Sequence, residues 1–467
     1  METNKIFQGS VLDVLKTFPD ESIDCVVTSP PYYGLRDYQV EDQLGLEKTF
    51  EEYLNKMLLI TTELKRVLKK TGTLWWNHGD SYASQHTGGT PSAKAQVHTK
   101  LRKTQGFCQP DGKKVFPEKS LMLQAHRLAI KMIDEQGWIL RNTVIWHKPN
   151  TMPSSVKDRF TMDYEPVFFF TKSNETLYWT NEKTLMITNK QPLGIHGKRG
   201  QDWEWRDCPK CTDINYFNYR TRDADKKPEQ APQFKMSDKE KQLKKEGKCL
   251  RCKGLKKIKY NFWEGRDYWF EPQYEQYTEP LNRWGGPATK VTDESKGDEF
   301  AIQERDGRER RPNALGRNKR SVWKIPTKPF SEAHFATFPP ALIETPIKAG
   351  CPEFICKKCG IAREKMFKSG DFVQTGGKRK KATPGLSKNQ KEIAAGYRPK
   401  QETGYTNCGC NAGWTPGIVL DPFMGSGTTA VVAESLNRNW LGIELNSNYI
   451  KIAEKRIASV PKSLFSL

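Results

Sequence analysis

Val419-Leu-Asp-Pro-Phe-Met-Gly-Ser-Gly-Thr-Thr429 reads as a short strand, a glycine turn and a helix start. Two apolar residues and an aspartate form a short strand, and Pro422 cannot continue a hydrogen-bonded ladder, so the chain must turn there. Gly425 and Gly427 allow backbone to approach a ligand closely. Thr428 or Thr429 is expected to cap a helix running from Ala430 to Leu436. The strand that follows, Trp440 to Ile443, ends on Glu444. An acid at the end of the next strand is where an open α/β sheet binds ribose hydroxyls. Strand, glycine loop, helix and acidic strand end together predict an α/β fold with a doubly wound, mostly parallel sheet.

A second junction of strand and loop lies near the other end of the chain. The apolar run Cys25 to Val27 delivers Thr28-Ser29-Pro30-Pro31-Tyr32 abruptly to a loop. Two consecutive prolines hold a rigid, extended corner, with the Ser29 and Pro30 carbonyls turned away from the sheet as fixed acceptors. Tyr32 adds a flat ring that suits a flat substrate such as a nucleobase. Alone, this is an ordinary strand-end turn; beside a glycine loop it gains a chemical meaning.

Asp421-Pro422-Phe423-Met424-Gly425-Ser426-Gly427 resembles the cofactor loop, and Ser29-Pro30-Pro31-Tyr32 the catalytic tetrapeptide, of the amino-methylating DNA methyltransferases that use S-adenosylmethionine. Catalytic loop first and cofactor loop last is similar to the permuted β arrangement of that family. The resemblance covers residues 1 to about 175 and about 315 to 467, with insertions between. It implies that the strand before Thr28 lies beside the strand before Asp421, at one switch point of the sheet. It also implies that Asp421, Pro422, Phe423, Gly425, Gly427, Thr428 and Glu444 line the cofactor site. Ser10, after Gly9, stands where family members carry an acid near the cofactor's adenine. Serine at the head of the tetrapeptide is the form associated with the N4 amine of cytosine, and aspartate with the N6 amine of adenine. The expected activity is therefore N4-cytosine methylation of flipped bases in duplex DNA, with N6-adenine methylation as the alternative. A restriction endonuclease acting on the same site is the implied partner.

The chain has 467 residues, 76 Lys and Arg against 55 Asp and Glu, and a formal charge of +21. That excess favours a polyanion, most simply nucleic acid, although a generic basic surface would give the same balance. With a mean hydropathy of −0.75 and no long apolar run, a membrane span is not expected. Met1 to Gln8 has no signal-peptide character, which points to the cytoplasm. In a reducing compartment the eleven cysteines read as metal ligands and core residues before disulfides. Cys208, Cys211, Cys249 and Cys252 form two Cys-x-x-Cys knuckles, the spacing of a closed, structural zinc site; paired free thiols are the alternative. Cys356, Cys359, Cys408 and Cys410 support a second zinc, with Cys351 as a competing ligand.

These features divide the chain into a catalytic half at 1–175 and a target-recognition region with zinc knuckles at 176–320. A return segment follows at 321–350, then a second cysteine-containing insertion at 351–413 and a cofactor half at 414–467. Residues 84–114 read as a polar basic loop near DNA, or as disorder. Met152 to Met162 resembles the family's loop near the target base, or a solvated turn. The run from Gly307 to Arg320 is phosphate-binding or a linker. Arg320 to Pro352, which contains Ser321 to Pro326 and Ala333 to Pro340 before a short helix starting at Ala341, resembles the family segment that helps hold the methionine part of the cofactor.

Three rival functions meet obstacles in the sequence. Carbon-5 cytosine methylation needs a thiolate nucleophile, usually in a Pro-Cys loop, and no Pro-Cys occurs. A non-catalytic zinc-containing nucleic-acid-binding protein explains charge and cysteines but not the paired loops. An RNA or protein-glutamine methylase is the third, and the latter usually carries Asn in place of Ser29.

Overall fold

The computed structural model describes residues 1–35, 40, 43–83, 116–117, 119–193, 203–208, 242, 245–248, 252, 255–275, 315–328, 338–369, 373–374, 396–397 and 400–461. In chain order the main elements are β1 (Lys5–Gln8), α1 (Val11–Thr17), β2 (Ile23–Thr28), α2 (Phe50–Val67), β3 (Leu68–Asn77) and α3 (Gln124–Gln136). They continue as β4 (Ile139–His147), β5 (Tyr164–Thr171), β6 (Val322–Lys324), α4 (Pro340–Gly350), β7 (Ile418–Asp421), α5 (Thr428–Ser435), β8 (Asn439–Glu444) and α6 (Ser447–Ala458).

The strands form one eight-stranded sheet in the order β1-β8-β7-β2-β3-β5-β4-β6. Only β5 runs against its neighbours, pairing antiparallel with both β3 and β4. Burial on both faces explains why β2 reads as an unbroken apolar run, because every one of its residues is buried. Val26, Leu74, Trp76, Phe168 and Phe170 pack on one side with α1, α2 and α3. Cys25, Val27, Trp75, Val167 and Phe169 pack on the other with α4 and α5. This alternation is the period-two geometry of a strand, and each large apolar side chain so buried contributes about 2 kcal/mol.

β2 and β7 lie side by side and parallel, with Cys25 opposite Val419 and Val26 opposite Leu420. A buried carboxylate ties them at each end. At the N-terminal end Asp24 accepts from Lys69 Nζ at 2.7 Å and from the Ile418 backbone N–H at 2.9 Å. At the C-terminal end Asp421 accepts from Thr28 Oγ1 at 2.6 Å. Residues nearly four hundred positions apart thus meet where the two loops leave the sheet.

Two local expectations are corrected, at the start of α5 and at Cys351. α2 ends at Val67 and passes directly into β3. Gly72 lies inside that strand, where a Cβ would sit 2.7 Å from Leu68 Cδ1. Neither Thr428 nor Thr429 caps α5; the N-cap is Gly427, without a side-chain bond. β6, three residues pairing parallel with β4, carries too short a pattern to be read from sequence. Cys351 is buried beside Gly417 and stands outside the second cysteine group.

The insertions add small sheets. Tyr178–Asn181, Ile187–Thr188 and Trp263–Arg266 form a three-stranded unit, and Trp203–Asp207 pairs with Lys257–Asn261. Lys365–Ser369 pairs with Lys400–Tyr405. Backbone bonds from Ile187 N–H to Asn407 O (3.0 Å) and from Asn407 N–H to Leu185 O (3.1 Å) join the two insertions.

Candidate active site at the β2 and β7 strand ends

The glycine loop is organised around Asp421, which is fully buried. Its carboxylate accepts from Thr28 Oγ1, from Thr429 Oγ1 at 2.5 Å and from the Phe423 backbone N–H at 3.0 Å. Thr429 is therefore committed to Asp421 rather than to a cap. Burial pushes the Asp421 carboxyl up to about 6 against the pull of these three donors. Gly425 takes a positive φ of 52°, and a Cβ there would meet only Phe423 O at 3.9 Å, so the backbone is left open to a close neighbour. Gly427 differs, because a Cβ would lie 2.8 Å from the Ala453 Cβ on α6. Arg456 of α6 steadies the same loop, donating to Ser426 O at 2.5 Å, Ser426 Oγ at 2.8 Å and Thr428 Oγ1 at 3.1 Å.

Glu444 ends β8 and accepts from the backbone N–H groups of Gly425 at 2.7 Å and Asn446 at 2.8 Å. Burial raises its pKa against those two bonds. Ser10 lies next to this strand end, since Gly9 N–H bonds Glu444 O at 3.1 Å; it occupies the N-cap position of α1. Phe423 meets Trp76 edge-on, with centroids 6.4 Å apart. Pro422 carries the chain out of β7 into this turn.

The tetrapeptide corner faces the glycine loop across the Thr28–Asp421 bond. Tyr32 stacks on His78, with centroids 4.9 Å apart and planes 19° from parallel. Its hydroxyl bonds Ser29 Oγ and Glu165 Oε2, each at 3.1 Å. Burial first, and then the charge of Glu165, holds the Tyr32 phenol well above its ordinary pKa. Pro30 is buried and Pro31 half-buried. A second chain of bonds supports the corner from below. Trp76 Nε1 donates to His78 Nδ1 at 3.4 Å, His78 Nε2 lies 3.3 Å from Tyr53 Oη, and Tyr53 donates to Pro31 O at 2.8 Å. Burial pushes His78 down to about 3, so the ring under Tyr32 is neutral at physiological pH.

Sequence reasoning missed Glu165, Asn77, His78 and Tyr53 as parts of this arrangement. The available signal was the polar Asn77-His78 pair closing the apolar run Leu74 to Trp76. Tyr53 sits at helical spacing in α2 and reads as core. In the loop between β4 and β5, Asp158 pairs with Lys119 at 2.6 Å and the Arg159 guanidinium lies 3.6 Å from the Tyr82 ring centre. A cleft of about 490 Å³, lined among others by Lys348, Glu353, Glu402 and Arg438, opens at the opposite ends of the strands, away from this chemistry.

The Cys356, Cys359, Cys408 and Cys410 sulfurs all lie within 4.8 Å of one another. A tetrahedral ion with bonds of about 2.3 Å sets its thiolates about 3.8 Å apart, so the cluster fits zinc. Backbone N–H groups of Cys359 and Lys358 help draw the Cys356 thiol down to about 6. In the other cysteine group Cys208 and Cys252 are both buried, and Cys208, directly after the Trp203–Asp207 strand, donates its N–H to Lys256 O at 2.8 Å. Cys211 and Cys249 lie outside the described residues, as do 84–115, 307–314, 329–337 and the Arg36-Asp37-Tyr38 loop. No helix among the described residues is long and apolar enough to cross a membrane.

A profile of the N6/N4 DNA methylase family matches residues 23–358 and 414–455. Among curated relatives, the type II methyltransferase M.XycI of Xanthomonas campestris pv. cyanopsidis is 27% identical over 452 residues, covering 97% of this chain and 87% of that protein. M.MwoI of Methanothermobacter wolfeii is 38% identical over 197 residues, covering 42% and 25%. Among solved structures, the cytosine-N4-specific PvuII DNA methyltransferase aligns with 99% of this chain and 89% of its own at 15% identity and a TM-score of 0.39. The profile spans well over half of the sequence and takes in both the tetrapeptide corner and the glycine loop, so the chain belongs to the N6/N4 DNA methylase family.

Proposed function

We propose that the protein transfers a methyl group from S-adenosylmethionine to the exocyclic N4 amine of cytosine in duplex DNA. The observation that supports this most is the Thr28–Asp421 bond, 2.6 Å long, which places the proline corner against the glycine loop. The loop fits the cofactor on its own terms. Gly425 offers open backbone, and Glu444 is a largely buried carboxylate whose protein partners are backbone N–H groups, suited to accept from ribose hydroxyls. Asp421, Pro422, Phe423, Gly427, Thr428 and Ser10 complete the proposed surround. When bound, the cofactor supplies an electrophilic methyl group on a sulfonium.

An exocyclic amine is a poor nucleophile because its lone pair is delocalised into the ring. Ser29 Oγ and the Pro30 carbonyl accept its hydrogens, which turns the lone pair out of the base plane. Tyr32, backed on one face by neutral His78, stacks on the base once it has left the duplex. Positioning and fixed dipoles carry the rate, with no covalent enzyme intermediate.

Serine at position 29 is the ground for choosing cytosine, and N6-adenine methylation is the second reading, because a hydroxyl and a carbonyl can orient either amine. Mass spectrometry of nucleosides from duplex DNA methylated in vitro tests the choice. Residues 176–320 and 351–413 are proposed to recognise the target, with a structural zinc held by the four clustered cysteines and another by Cys208, Cys211, Cys249 and Cys252. A restriction endonuclease of the same specificity is the proposed cellular counterpart.

A further inference from the structure

We propose that Glu165 is a positioning residue that sets the hydrogen-bond polarity of the tetrapeptide corner, turning the lone pairs of Ser29 Oγ toward the substrate amine. The inference rests on the reading of Ser29 to Tyr32 as the corner that receives that amine, and deepens it.

Glu165 lies near the start of β5, the strand that runs against the rest of its half of the sheet, so its carboxylate reaches the ends of β2 and β3 from the opposite direction. Both of its oxygens are engaged. Oε1 pairs with Lys148 Nζ, and Oε2 accepts from Asn77 Nδ2 at 3.1 Å and from Tyr32 Oη at 3.1 Å. Asn77 is itself fixed, because the same amide nitrogen also donates to Pro166 O at 3.3 Å.

A carboxylate can only receive, so the Tyr32 hydroxyl spends its single hydrogen on Glu165. The contact between Tyr32 Oη and Ser29 Oγ, 3.1 Å, must then run the other way, with Ser29 donating. Once the Ser29 hydrogen points at Tyr32, what Ser29 offers elsewhere is lone pairs. That is the orientation an amine N–H requires; the reversed hydroxyl would point a hydrogen at a hydrogen. Glu165 also ends the chain two hydrogen bonds from Ser29, and an oxygen whose hydrogen is donated into a charge-assisted chain is a stronger acceptor than an isolated hydroxyl. Space at the junction is reserved for this arrangement. A Cβ on Gly79 would lie 2.6 Å from Tyr32 Cε2 and 3.3 Å from Glu165 Cδ.

The test is a double-mutant cycle on the full-length protein, with single-turnover methylation of duplex DNA as one readout. Cofactor affinity by calorimetry and the fluorescence of a 2-aminopurine duplex without cofactor are the others. Glu165→Gln keeps the shape but presents an amide that can donate to Tyr32. It should slow transfer roughly tenfold to a hundredfold, less than loss of a direct stabilising group, while cofactor affinity and base-flipping fluorescence stay at wild-type values. Glu165→Asp, which keeps the charge, should recover part of the rate. In a Tyr32→Phe background, where the chain of bonds is already cut, Glu165→Gln should cost nothing further. Additive losses in the cycle would overturn the assignment, as would a Glu165→Gln variant whose only defect is weaker cofactor binding. If that variant fails to fold, the same cycle is run with Lys148→Gln in every member, which leaves no unpaired ammonium. Wild-type protein that methylates no exocyclic amine overturns the reading of the corner itself, whereas methylation with an additive cycle overturns the role of Glu165 alone.

Discussion

Thr28 and Asp421, separated by 393 positions in the chain, share a 2.6 Å hydrogen bond at the C-terminal ends of two adjacent parallel strands. Each residue opens one of the two loops that define the site, so this bond couples the geometry of the proposed acceptor corner to that of the proposed cofactor loop. Thr28→Val removes the donor and leaves a buried carboxylate with one partner fewer. It should destabilise the fold by about 1–3 kcal/mol, read as a lower denaturant midpoint with an unchanged slope.

Asp421 also carries a pH signature. Its folded pKa, about 6, lies above its ordinary value of 3.8, so the folded state favours the protonated acid. The resulting stabilisation is fully present below pH 3.8 and is lost as pH rises through about 6, where ionising the buried group costs about 3 kcal/mol. Asp421→Asn should remove that dependence. Between pH 4 and 6 the stability of the variant should therefore rise relative to wild type; parallel curves would show that Asp421 does not titrate in this window.

The two loop glycines should respond differently. Gly427→Ala sets a Cβ 2.8 Å from Ala453 Cβ at a φ of +78°, which combines backbone strain of about 1–2 kcal/mol with overpacking against α6. It should lower the melting temperature. Gly425→Val carries the same left-handed backbone strain, about 1–2 kcal/mol at a φ of +52°, but meets open space in the protein, so it should fold with a smaller loss of stability and yet fail to bind S-adenosylmethionine by calorimetry. Unchanged affinity in a folded Gly425→Val protein would remove Gly425 from the cofactor site.

The cysteine cluster predicts metal. Elemental analysis of protein purified without chelator should find zinc, and Cys408→Ser should lower the content by one ion per chain. Stripping the metal should loosen the Lys365–Ser369 hairpin and its junction at Asn407 while leaving cofactor affinity intact, because four thiolates leave no position for water activation. Zinc-free protein with a protected hairpin would contradict this.

What the sequence disclosed was chemistry that is local along the chain. The glycine loop, the acid at 444 and the proline corner each announce themselves within a dozen residues, because a strand end, a turn and a helix start must follow one another. The pairing of β2 with β7 was legible too, since both loops need the same switch point. Glu165 was not, because it reaches the corner only through an antiparallel strand whose direction no periodicity reveals. Tyr53 was hidden for a different reason: at helical spacing, an aromatic that supports a loop carbonyl looks the same as one that fills a core. The expected threonine cap on α5 failed because Asp421 competes for Thr429 more strongly than the helix's own first turn does.

Cytosine-N4 transfer is read most directly by incubating the purified protein with S-adenosylmethionine and duplex DNA, digesting to nucleosides and measuring them by mass spectrometry. N4-methylcytosine is expected, abolished or strongly reduced in Ser29→Ala. N6-methyladenine would overturn the choice of base while keeping the corner's role, and 5-methylcytosine or no methylated nucleoside at all would overturn amine methylation at this corner.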